Sequence, residues 1–102
     1  MPRKAAENFR QQQVAVLARQ RIDRWLWHAR LVRTRNAAAV LATSGHVRVN
    51  GARIRAAGRM VQKGDVLTVA FERAVRVLKV TGFVDRRGSA AVGQVLYDEV
   101  IL

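Results

Sequence analysis

Apolar positions over 21–32 recur with a helical period. Ile22, Trp25, Leu26 and Ala29 fall at i, i+3, i+4 and i+7, which is one buried stripe of a helix. Asp23 lies in the first turn, where a carboxylate suits the positive end of the helix dipole. Arg21, Arg24 and His28 share another face, and Trp27 falls off the apolar stripe. Thr34 has the chemistry of an N-cap for a second helix over 35–44. Ala38, Leu41 and Ala42 form its buried stripe, with Leu41 as the anchor, and Gly45 sits where a left-handed C-terminal cap belongs. The link around Arg33 is short, so the two helices are predicted to pack as a hairpin.

From His46 the period changes to two. Val47 and Val49 alternate with Arg48, and Asn50-Gly51 is a strong hairpin signal. The return strand is read through Arg53, Ile54 and Arg55. Gly58 and the Lys63-Gly64-Asp65 stretch mark two more turns. A strand is predicted over 66–71 and another over 75–80 that continues to Val84. Residues 86–89 read as a loop. The end of the chain, 95–102, reads as a strand or a short helix. Residues 1–18 lack a continuous stripe and are read as a flexible or partly helical extension, leaving 19–102 as one domain. Its fold class is α+β, a two-helix hairpin packed on a small twisted antiparallel sheet.

Charge changes this picture most. The 102 residues carry 19 Lys+Arg against 7 Asp+Glu, a formal net charge of +12. Eleven of the basic residues and one acid, Asp23, fall in residues 19–63, so that segment carries +10. Repulsion among like charges opposes compaction, and a polyanion removes the penalty. Nucleic acid fits, because each neutralised phosphate releases condensed counterions. The arginines punctuate predicted elements rather than forming a tail. Arg33 and Arg35 flank the helix junction, where free backbone N–H groups add to two guanidiniums. Arg48 alternates with buried valines and projects outward, as do Arg53 and Arg55. The helix hairpin and the β-hairpin are thus expected to present arginines to one ligand.

Other chemistry finds little support. No Ser/His/acid spacing, glycine-rich phosphate loop or metal-ligand cluster appears. There is no cysteine, and two histidines are too few for a zinc site. The expectation is a protein without cofactor, metal or catalytic residues. No apolar run is long enough to span a membrane, and the composition suits the cytoplasm. Trp27 is read as packing against the sheet or the chain end, with base stacking as the alternative.

Three runs carry a resemblance: Arg21-Ile22-Asp23-Arg24-Trp25-Leu26-Trp27, then Thr34-Arg35-Asn36, then Gly45-His46-Val47-Arg48-Val49-Asn50-Gly51. In that order and spacing they resemble the S-four-type RNA-binding domain, and Lys63-Gly64-Asp65 matches its later turn. The resemblance runs from about Arg21 to Phe71. Trp25-Leu26-Trp27 with Ala29-Arg30, and the stretch from Gln94 to Glu99, are similar to the bacterial heat-shock-protein-fifteen branch. That branch continues into a basic C-terminal extension, whereas this sequence stops at Leu102 and begins with an added stretch. The resemblance implies RNA bound along the helices and first hairpin, on free large ribosomal subunits carrying stalled peptidyl-tRNA. The expected contacts are Arg21, Arg24, Arg33, Thr34, Arg35, Asn36, Arg48, Asn50, Arg53, Arg55 and Lys63. The expected partner is ribosomal RNA, with tRNA on the large subunit, and the free protein is expected to be a monomer. A DNA-binding module, or an assembly factor using its basic face on an acidic protein, are the alternatives.

Overall fold

The computed structural model describes residues 18–101, so the extension predicted over 1–18 lies almost wholly outside the described residues. Ten elements follow one another: β1 (Arg19–Arg21), α1 (Ile22–His28), α2 (Arg35–Thr43), β2 (Val47–Val49), β3 (Ala52–Arg53), β4 (Met60–Gln62), β5 (Val66–Ala70), β6 (Val75–Val80), α3 (Ala90–Gln94) and β7 (Tyr97–Val100). Five strands form an antiparallel sheet in the order β3-β2-β5-β6-β7, and β1 pairs with β4 as a separate ribbon. The class is α+β.

The predicted stripes are the core. Ile22, Trp25, Leu26 and Ala29 of the first helical segment pack with Ala38 and Ala42 of α2 over Val47, Val49, Leu67, Val69 and Leu78 of the sheet. Trp25 is wholly buried, stands edge-on to Tyr97, and donates from Nε1 to the Gly82 carbonyl at 3.1 Å. Leu41 is only half-buried, so the two alanines, not Leu41, hold α2 closest to the core. Small residues there let the helix backbone approach.

Several elements differ from expectation for identifiable reasons. The first helix ends at His28 rather than at 32. Arg30 adopts φ 60°, Arg30 N–H donates to the Trp27 carbonyl at 3.1 Å, and Leu31 N–H donates to the Leu26 carbonyl at 3.1 Å. This is a Schellman ending with arginine where glycine is usual. His28 does not join the basic face. It is buried, because the chain at Val84 packs over it. The return strand stops at Arg53, and Ile54 turns into the core. Strand β6 stops at Val80, and Phe83 and Val84 bend inward against α1. The end of the chain contains both a short helix, α3, and a strand, β7. The β1–β4 ribbon had no sequence signal: three-residue strands paired between Arg19–Arg21 and Met60–Gln62 leave no periodicity to read.

Candidate nucleic-acid interface

The turn between the helices and the turn of the β-hairpin are both built by local chemistry. Thr34 caps α2, its Oγ1 accepting from Ala37 N–H at 3.0 Å. Arg35 and Asn36 follow in the first turn, exposed, with Arg33 exposed just before the cap. Arg24 on α1 and Arg35 on α2 both lie near His28. Burial pushes the His28 imidazole below its ordinary pKa, and these two guanidiniums push the same way, while the Val84 carbonyl opposes them. Arg35 opens α2 directly after the short connector that follows α1, so the two guanidiniums act on the same imidazole from neighbouring helices.

The hairpin turn uses Asn50 (φ 51°) and Gly51 (φ 84°), the paired left-handed residues of a tight two-residue turn. Beyond it, Arg53 pairs directly with Arg48 across the ladder. Like charges placed opposite one another on a sheet are destabilising. Arg48 projects from the sheet face opposite Val47 and Val49, which turn toward the helices. The Arg53 and Arg55 side chains run close to Gly45, at the far end of α2 from Arg35. At 1.5 Å rise per residue, Arg35 and Thr43 are about 12 Å apart along the helix. The basic residues thus form a helix-side corner and a hairpin patch, joined along α2.

The remaining expected contacts are more committed. Arg21 is bound to Asp23 through two hydrogen bonds of 3.1 and 3.0 Å. Arg24 donates to the Asp85 carbonyl at 3.1 Å. Both ends of the Asn50 amide are engaged: Nδ2 donates to Asp65 at 3.0 Å, and Oδ1 accepts from Val66 N–H at 2.9 Å. Asn50 thereby ties the hairpin turn to the Lys63-Gly64-Asp65 turn, where Lys63 is exposed. Arg33, Arg35, Arg48, Arg53 and Arg55 have no ion-pair partner among the described residues.

The S4 domain family model matches residues 20–67. A solved structure, the trimeric Vibrio cholerae heat shock protein 15, superposes with a TM-score of 0.74 at 30% identity, covering 80% of this chain and 82% of that one. The chain belongs to the S4-domain family, in its heat shock protein 15 branch. The heat shock protein 15 homolog of Aeromonas salmonicida is 40% identical over 82 residues, 78% of this chain and 59% of that protein. Heat shock protein 15 of Escherichia coli K12 is 32% identical over 79 residues, with the same shares. Small ribosomal subunit protein uS4 of Bacillus cereus is 36% identical over 69 residues, 68% of this chain and 32% of that protein. The chain spans about three fifths of the length of the heat shock relatives it matches. Membership of this family supports an RNA-binding role. The Vibrio protein is a trimer, so the expectation of a monomer finds no support there.

Two arginines outside the expected contact set also bind the fold. Arg30 donates from Nε to the Gly88 carbonyl at 2.9 Å and from Nη2 at 2.6 Å. Arg87, outside the matched segment, donates to the carbonyls of Trp27 and Val32 at 3.0 and 3.3 Å. No sequence pattern marks either, because each acts on a backbone carbonyl more than 50 residues away. Trp27 is half-buried with the Arg87 guanidinium 5.5 Å from its ring centre. Among the described residues no helix is long and apolar enough to cross a membrane, and no acidic, His or Cys group could hold a metal ion.

Proposed function

We propose that this chain is a non-enzymatic RNA-binding protein that recognises structured ribosomal RNA on the large subunit, in the rescue of stalled subunits carrying peptidyl-tRNA. The observation that carries the reading is a coincidence of position. The S4 match, residues 20–67, coincides with the run of outward arginines that lack an acidic partner among the described residues. Arg33, Arg35, Arg48, Arg53 and Arg55 contact phosphates, assisted by Arg24 and Lys63. Thr34 and Asn36 offer polar contacts at the helix corner. Arg21 and Asn50 act at the same surface mainly by fixing its backbone, since their side chains are held by Asp23 and by Asp65 and Val66. RNA helices are recognised by shape, phosphates and 2′-hydroxyls, which suits a surface of guanidiniums and short polar groups.

Sucrose-gradient co-sedimentation with separated ribosomal subunits tests the reading. The protein should travel with the large subunit. Five phosphate contacts give a slope of log K on log salt of about −4. A slope near zero removes the phosphate-dominated model. Co-sedimentation with the small subunit alone leaves RNA binding but removes the rescue role. Equal affinity for duplex DNA at matched salt favours a DNA-binding module instead.

A further inference from the structure

Residues 82–88 run across the end of α1, and side chains from β1 and the first helical region hold them at four carbonyls. The Val84 carbonyl accepts from Gln20 Nε2 at 2.9 Å and lies 3.0 Å from His28 Nδ1. Trp25 donates to the Gly82 carbonyl, Arg24 to that of Asp85, and Arg30 to that of Gly88. Arg87 acts in the opposite direction. Its Nε donates to the Trp27 carbonyl at 3.0 Å, and its Nη2 donates to the Val32 carbonyl at 3.3 Å.

Those two carbonyls are informative. Trp27 is in the last turn of α1, where the dipole presents negative charge to a cation. Val32 immediately precedes Arg33, Thr34 and Arg35. One planar guanidinium therefore joins the end of α1 to the backbone that launches the helix-side basic corner. A flat fork of donors can span two carbonyls in fixed geometry, which a single ammonium cannot. The same guanidinium lies over the Trp27 ring, 5.5 Å from its centre, within cation–π range. The left-handed Arg30 between these points is held by its own pair of bonds to Gly88. The connector 31–34 has no helix or strand of its own, so these bonds set its path.

We infer that Arg87 is a positioning residue for RNA binding: it contacts no phosphate, but fixes the connector so that Arg33 and Arg35 meet the RNA together. The inference rests on the RNA-binding reading above.

The test compares Arg87→Lys and Arg87→Gln with Arg33→Gln and Arg35→Gln. Each is assayed for affinity to large-subunit RNA over a salt series, at a temperature where melting curves show the variant folded. Both Arg87 variants should bind about tenfold more weakly, the scale of a lost charge-assisted hydrogen bond, with the parent's salt slope. The Arg33 and Arg35 variants should lose about 0.7–0.9 from the slope each. Backbone amide resonances over 33–37 should shift in Arg87→Lys without RNA present. Unchanged affinity in a folded variant makes Arg87 merely structural and overturns the inference. A reduced slope for Arg87→Gln with no amide shifts in Arg87→Lys makes it a phosphate contact and also overturns it. If Arg87→Gln fails to fold, Arg87→Lys and its amide shifts decide. Failure of the parent to bind RNA counts against the proposed function itself.

Discussion

Within residues 20–67, Arg33, Arg35, Arg48, Arg53 and Arg55 point outward without an acidic partner among the described residues, whereas after residue 67 Arg76 and Arg87 are turned onto the protein. Arg76 makes a two-bond pair with Glu99 and lies 5.9 and 5.8 Å from the ring centres of Phe71 and Tyr97. Its pair holds the Glu99 carboxyl below its ordinary pKa. Residue type is the same in both regions, and environment assigns the work. Where a guanidinium meets carboxylates or carbonyls it fastens the fold. Where it meets only other guanidiniums, as Arg48 meets Arg53, it stores repulsion that an anionic partner relieves.

The most severe way to break the comparison is to remove the core both regions share. Trp25→Ala should destabilise by about 3–5 kcal/mol, because Trp25 is fully buried and reaches Gly82 and Tyr97 in the distal segment. Denaturant titration checks this, and a loss below about 1 kcal/mol would contradict the packing described.

Next comes the contrast between arginines. Arg35→Ala should weaken RNA binding by about 10- to 150-fold, the worth of a charged hydrogen bond of about 1.5–3 kcal/mol. Arg76→Ala should instead lower the melting temperature and leave the affinity of the folded protein unchanged. Equal losses of affinity would erase the division between the two regions.

His28 sharpens the comparison through pH. Arg24, Arg35, Asp85 and the Val84 carbonyl surround it, and burial lowers its pKa below 6.5. The unfolded imidazole takes up a proton near 6.5, which the folded one resists. Stability from this source is therefore complete above 6.5 and declines as pH falls toward the folded value, then levels off. In His28→Asn that portion of the pH dependence should vanish in thermal melts.

Smaller effects follow on the hairpin. Arg48→Thr removes a like-charge pair and should stabilise the free protein by about 0.2–1 kcal/mol, while weakening RNA binding. A variant that loses both stability and affinity would argue against stored repulsion. The smallest change belongs to Arg86→Ala, exposed in the distal segment. It should leave stability within about 0.5 kcal/mol and affinity unaltered in the same assays.

The sequence by itself determined the elements whose signals are local. The stripe of Ile22, Trp25, Leu26 and Ala29, the Thr34 cap, and the Asn50-Gly51 turn each depend on residues a few positions apart, so their chemistry is readable in order along the chain. The charge of 19–63 was equally legible, because it is a sum and needs no coordinates. Only the tertiary structure decided which charges are free to act. It buried His28 under Val84, spent Arg21 on Asp23 and Asn50 on Asp65, paired β1 with β4, and set Arg30 and Arg87 on carbonyls across the molecule. The bonds of His28, Arg30 and Arg87 are long-range and reach backbone groups, which every residue carries alike. No pattern of side chains can announce which carbonyl a folded chain will bring within reach of a guanidinium.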